Sequence, residues 1–236
     1  MIERVTHLAL DGSRLDVEGE LDLSRPFTSV LDVGLRGHRY EFTAGAVGLG
    51  GEVAAALGLD GFDEELNHAG GALRVAHGTV TDPRTGLGDR VTVACWTGVA
   101  HELVTSLYGV TTAEVLDVFT TVDIVEGPDG IGITPAVGSG ATVLGGALVL
   151  KEVPGLGLLE IAGRTKDAVR ELPDWPGLPL GRGELFRDTL SNGRPYFVLA
   201  QPAAVVTVLP LDGTAVDRVP GLLGSLSVSM RATAQW

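Results

Sequence analysis

The sequence predicts an α+β fold, predominantly antiparallel sheet built from hairpins, with a few short helices packed on it. Three observations carry that expectation. Many segments alternate apolar and polar residues with the two-residue period of a half-buried strand. The 34 glycines are far more than average usage, and several fall where alternating segments end, as tight turns require. The connection DPRTGLGD (82–89) between two such segments is also too short for the crossover that parallel strands need.

Taken in order, Val5 to Leu10 and Ser13 to Leu23 flank Asp11-Gly12, a two-residue hairpin signal. In the second arm Leu15, Val17, Leu21 and Leu23 share a face with Gly19, and Asp16, Glu18, Glu20 and Asp22 share the other. A row of carboxylates along a straight strand reads as a solvated face that discourages edge pairing, because a calcium loop converges its ligands from a bent backbone. Phe27 to Leu35 and His38 to Thr43 form a second hairpin turning at Arg36-Gly37, with His38 exposed at the turn. A glycine cluster then precedes a short apolar helix near Glu52 to Leu59, and FDEELN (62–67) is expected as another helical piece stopped by Gly70-Gly71. A glycine-rich turn before a helix can cradle phosphate, but no Gly-Lys-Ser/Thr run or acidic ribose partner accompanies this one.

Residues 73–109 hold the only cysteine and two of the five histidines. Leu73, Val75 and His77 alternate with Arg74, Ala76 and Gly78, as Val91, Val93 and Cys95 do with Thr92, Ala94 and Trp96. The intervening DPRTGLGD, with Asp82-Pro83, Gly86 and Gly88, is turn chemistry, so the two strands make a hairpin with a long loop. Folded symmetrically about Gly86, it sets His77 opposite Cys95. Thr97-Gly98 is expected to end the second strand, and Val99, Leu103 and Leu107 follow at helical spacing up to Gly109. Cys95 would then precede a helix N-terminus, where backbone dipoles favour a thiolate.

Thr111 and Glu114 fit a capping box, followed by the helical stripe Val115, Leu116, Phe119 and Val122. Residues 126–140, EGPDGIGITPAVGSG, are the expected connection between an N-terminal hairpin/helix lobe (1–125) and a C-terminal strand-rich lobe (141–236), unless the two form one continuous domain. Beyond it, Thr142 to Val153 and Leu156 to Ala162 flank Pro154-Gly155 as a hairpin. Thr165 to Leu172 is a short polar helix, and 173–183 a proline-rich loop around Trp175. Arg194 to Gln201 and Ala203 to Leu211 are strands meeting at Pro202, and Leu222 to Ala232 closes the chain. Val205 to Leu209 is apolar on both faces, the mark of a strand covered on each side.

Composition excludes several function classes. A net charge of −13 with no Lys/Arg run repels phosphate backbones and anionic membrane surfaces, so neither nucleic acid nor membrane is an expected partner. One cysteine permits no intramolecular disulfide and no cysteine-based zinc site, and no cofactor fingerprint is present. The N-terminus lacks the apolar stretch of a signal peptide, and the expected location is cytoplasmic.

Three functional readings follow. The first is a non-catalytic acidic interaction or assembly subunit, binding a protein partner or copies of itself. Trp175, Pro176 and Leu178 on a rigid proline-rich loop are its candidate contact residues. The second is a cysteine-dependent hydrolase with Cys95 as nucleophile, His77 or secondarily His101 as base, Asp82 or Asp89 orienting the ring, and the amides of Trp96 and Thr97 as oxyanion donors. His77-Gly78 after one apolar strand and Ala94-Cys95 after another resemble the two landmarks of caspase-like cysteine peptidases. That resemblance implies parallel strands with a helical crossover, whereas this connection has hairpin length. The third is a small-molecule-binding protein or enzyme with a pocket between sheet and helices, where Lys151, interrupting the apolar run ALVLKEV, is a candidate nucleophile or base.

Overall fold

The computed structural model describes residues 1–81 and 84–232. The first hairpin joins β1 (Glu3–Leu8) to β2 (Arg14–Gly19), and the second joins β3 (Phe27–Leu35) to β4 (His38–Ala46). Helix α1 (Leu49–Ala56) leads to β5 (Glu64–His68), β6 (Gly71–Thr81), β7 (Gly88–Thr97) and β8 (His101–Tyr108). Helix α2 (Thr112–Phe119) precedes the hairpin of β9 (Val122–Gly127) and β10 (Gly130–Pro135). Then come β11 (Thr142–Val153), β12 (Gly157–Gly163), the single-turn helix α3 (Lys166–Arg170), β13 (Leu178–Leu180), β14 (Gly183–Thr189), β15 (Pro195–Ala200) and β16 (Ala204–Leu209). A 3-10 turn at Val216–Arg218 runs into α4 (Val219–Leu223), and β17 (Ser227–Arg231) completes the order. The fold is the expected one: antiparallel hairpins with a few short helices.

The chain divides into two compact units. One comprises Met1–Ala9, Ser13–Ser29 and the residues from Gly146 onward; the other comprises Leu10–Gly12 and Val30–Gly145.

In the second unit β3, β4, β8, β7, β6 and β5 lie side by side in that order. Strand alternation gives this sheet two distinct faces. On one, Ala76, Val93, Cys95 and Val104 pack against Leu49 and Val53 of α1, with Leu57, Leu59 and Phe62. On the other, Phe119 of α2 meets the Phe42 ring edge-on, centroids 5.7 Å apart, and the His68 ring at 6.1 Å. Two turns carry a non-glycine residue at positive φ followed by glycine: Arg36 (51°) with Gly37, and Ala69 (47°) with Gly70. That pairing is the backbone of the tight hairpin turn whose twist matches its strands.

In the first unit the order is β13, β14, β15, β16, β12, β11, with β17, β2 and β1 forming a separate three-stranded set. Strand β16 is paired on both edges, as its continuous apolar run implies. Gln201, 2 % exposed, ties β17 in by donating to Leu226 O at 2.7 Å and accepting from Val228 N at 2.7 Å.

Two expected helices are strands. Residues 101–108, read as helix from Val99, Leu103 and Leu107, are the strand β8, in register with β7 from Val91↔Tyr108 to Thr97↔Glu102. A spacing of four fits the two-residue period as well as the helical one, and residues 102–105 are buried on both faces, so alternation is masked there. FDEELN contributes to β5, not to a helix: Glu64 to His68 pair with Val75 to Gly71. Its polar sequence has no strand period of its own, so pairing with β6 decides its state.

Candidate functional site

The register of β6 with β7 settles the geometry around the lone thiol. Arg74, not His77, stands opposite Cys95, while His77 stands opposite Thr92. The expected symmetric fold about Gly86 is thus three residues out of register. The consequence is larger than a displacement. Positions 92 and 95 have opposite parity on β7, so His77 and Cys95 project from opposite faces of the sheet. The structure does not bring this pair together.

Cys95 lies on the α1 face at 0 % exposure. Gly50 of α1 sits directly against it; a β-carbon on Gly50 would run into the Cys95 sulfur. Beside the thiol, Arg74 Nη2 donates to Glu102 Oε1 at 2.8 Å and to Thr97 Oγ1 at 3.0 Å, with the Cys95 sulfur 3.6 Å away. The guanidinium also covers the Phe62 ring, 4.6 Å from its centroid. Glu102 is 1 % exposed, and its other oxygen accepts from the backbone N–H groups of Gly48 at 3.1 Å and Gly50 at 2.8 Å. Burial pushes the Cys95 thiol up to about 11, the Glu102 carboxylate adds to the effect, and Thr97 and Arg74 oppose it. A thiol in that environment is neutral near pH 7 and a poor nucleophile.

This cluster also answers the phosphate question raised by the glycine run. The amides at the start of α1 do cradle an anion, and it is the chain's own Glu102 carboxylate. Sequence reasoning missed Arg74 and Glu102. The available signal was that each places a charge at an inward position of a strand whose neighbours are apolar.

On the opposite face, both ring nitrogens of His77 are engaged: Nδ1 with Thr92 Oγ1 and Nε2 with Thr112 Oγ1, each at 3.0 Å. Thr112 donates in turn to Glu64 Oε1 at 2.7 Å, so the histidine fastens the start of α2 to β6, β7 and β5. His101 is elsewhere again, its Nδ1 3.2 Å from Glu126 Oε1. Asp89 stands opposite Val80, and Asp82 lies outside the described residues. Trp96 and Thr97 lie within a strand laddered on both edges, which leaves no converging pair of amides for an oxyanion.

Lys151 is 1 % exposed. Its ammonium donates to the Arg25 carbonyl and lies 4.1 Å from the centroid of the Phe27 ring. Burial lowers its pKa to about 8, with Asp22 and Glu3 acting in the other direction. Trp175 and Leu178 are exposed, 48 % and 60 %, and Pro176 between them is exposed too. Comparison of the chain with protein-family models, with curated proteins and with solved structures returns no match.

Proposed function

We propose that the chain is a non-catalytic, acidic cytoplasmic subunit that acts by protein contact, with a partner protein or a second copy of itself, through Trp175, Pro176 and Leu178. The observation that carries this reading is the exposure of Trp175 and Leu178 three residues apart, at 48 % and 60 %, where the proline-rich loop enters the outermost strand β13. An aromatic and a leucine on a segment stiffened by Pro173, Pro176 and Pro179 offer contact area at little entropic cost. Pro179 within β13 has no N–H to extend the sheet, so the contact is made by side chains and not by adding a strand. The buried neutral thiol, on the other sheet face from His77, supports a role without nucleophilic chemistry. Among the described residues no helix is long and apolar enough to cross a membrane.

The test is sedimentation velocity over a range of concentrations, with capture from cell extract alongside, comparing wild type with the double change Trp175→Ser, Leu178→Asp. The reading expects self-association or a defined set of captured proteins in wild type, lost in the variant. A wild-type monomer that captures the same proteins as the variant would defeat it.

A further inference from the structure

A relay of four hydrogen bonds through His77 ties the start of α2 to the sheet of the second unit. Thr92 Oγ1 donates to the Val110 carbonyl at 3.1 Å, and Thr112 Oγ1 donates to Glu64 Oε1 at 2.7 Å. The His77 ring lies between the two hydroxyls, Nδ1 3.0 Å from Thr92 Oγ1 and Nε2 3.0 Å from Thr112 Oγ1. Val110 and Thr112 flank Thr111, the N-cap of α2, so both arms of the relay act on the entry to that helix.

A threonine hydroxyl has one proton to donate. Both are spent, on the Val110 carbonyl and on the Glu64 carboxylate, so each hydroxyl can only accept from the ring. Only the imidazolium carries an N–H at both nitrogens. Each neutral tautomer leaves the relay one bond short. With the proton on Nδ1, Nε2 must accept from Thr112, and Glu64 loses its donor. With the proton on Nε2, Nδ1 must accept from Thr92, and the Val110 carbonyl loses its donor. Glu64 Oε1 also lies 3.6 Å from Nε2, within ion-pair distance, and Asp63 accepts from the His77 backbone N–H at 2.9 Å. Arg90 lies on the ring's face of β7, one residue pair along, and His68 on that face of β5. Helix α2 carries Glu114, committed to Thr111, and Asp117.

We infer that His77 is a proton-operated clasp on the start of α2, complete when the ring is the imidazolium and one hydrogen bond short when it is neutral. Imidazole is the side chain whose ordinary charge change falls between about pH 5 and 8, so the clasp closes toward the acid end of that range and eases toward the alkaline end. Its output is the docking of α2, the helix that sets Phe119 against Phe42 and His68. The inference is independent of the contact surface around Trp175, which belongs to the other unit.

The test is hydrogen exchange of the full chain, read by mass spectrometry on peptides covering α2, at about pH 5.5 and about pH 8, above the ordinary carboxylate range. Rates are corrected for the pH dependence of free-peptide exchange. In wild type, protection of α2 is expected to be roughly three- to tenfold higher at the lower pH, the scale of one net hydrogen bond. His77→Gln has no titrating ring and is expected to show no such difference, which sets aside the other histidines. Thr112→Val keeps the side-chain shape and the histidine but removes one arm. A neutral ring then satisfies the remaining bond to Thr92, so the pH difference is expected to vanish here too. This second variant keeps the inference testable should His77→Gln not fold. Equal wild-type protection at the two pH values, or a difference that persists in either variant, overturns the inference.

Discussion

Glu102 Oε2 accepts a hydrogen bond from Gly50 N–H at 2.8 Å, closing the first turn of α1 onto a carboxylate that β8 supplies. The same carboxylate is the counter-charge of Arg74, whose side chain is 30 % exposed while Glu102 is 1 % exposed. Glu102→Gln keeps one carbonyl oxygen, which can serve the two backbone amides or the guanidinium but not both, and it removes the charge that matches Arg74. Breaking one side of a buried pair costs ~3–5 kcal/mol, and the partial exposure of Arg74 reduces this to about 2–3 kcal/mol. Urea denaturation measures it; a midpoint equal to wild type would show that the carboxylate contributes nothing to docking α1.

The close approach at Gly50 gives a second stability prediction with an opposite local expectation. Alanine for glycine inside a helix normally gains ~1 kcal/mol. At Gly50 the new methyl would meet the Cys95 sulfur, so Gly50→Ala is expected to destabilise. Cys95→Ala removes that sulfur, and the double variant should recover part of the loss, a coupling read from a double-mutant cycle. Additive effects of the two changes would mean that α1 shifts away freely.

These relationships mark where the sequence is legible and where it is not. Local chemistry is readable: Thr111 and Glu114 make the anticipated capping box, with Glu114 N donating to Thr111 Oγ1 at 3.4 Å, and Arg36-Gly37 makes the anticipated turn. Register is not. The 77–92 pairing depends on how many residues the loop consumes, and a slip of an odd number moves a side chain to the other face. That one uncertainty separates a thiol beside an imidazole from a thiol beside a guanidinium. Edge strands such as β5, and doubly buried ones such as β8, are equally opaque, because their state is set by neighbours distant in sequence.

The Cys95 thiol predicts a pH dependence. Its folded pKa, about 11, lies above the ordinary 9.0, so between these values the native state holds a proton that the unfolded state releases. Its contribution is therefore intact below pH 9.0 and lost as pH rises toward about 11. Cys95→Ala should flatten that part of the stability profile. At pH 7 a thiol-specific disulfide reagent should label the native protein only as fast as it opens, and denaturation should release full reactivity. Prompt labelling of the folded protein would contradict the sealed environment.

Lys151 has the opposite sign. Its folded pKa of about 8 is below the ordinary 10.5, so the native state loses its proton first, and stability rises with pH across that interval. Lys151→Met keeps most of the volume, removes an ammonium at 1 % exposure and forgoes its bond to the Arg25 carbonyl. We expect the variant to be as stable as wild type or more so at pH 7, with the rise above pH 8 abolished. Loss of stability at pH 7 would mean that the carbonyl bond and the Phe27 contact outweigh the cost of burying the charge.

Glu126 supplies the acid limb. Its carboxylate gathers the backbone N–H groups of Val99 at 2.7 Å, Ala100 at 2.8 Å and His101 at 2.9 Å, fastening the turn between β7 and β8. Burial works against its ionisation, but the Val99 and Ala100 amides, with His101, outweigh it and hold the carboxyl below 4.5. A depressed folded pKa contributes stability that is present above the ordinary value and lost as pH falls through the folded one. The loss should therefore begin below pH 4.5 and be confined to acid conditions. Glu126→Gln keeps one carbonyl acceptor but not the second oxygen or the charge, and is expected to cost ~1–3 kcal/mol at pH 7, the scale for a charged hydrogen-bonded group. Thermal unfolding at pH 7 and pH 3.5 distinguishes the cases: the gap between wild type and variant should narrow at the lower pH, and a gap that stays constant would assign the effect to packing and not to charge.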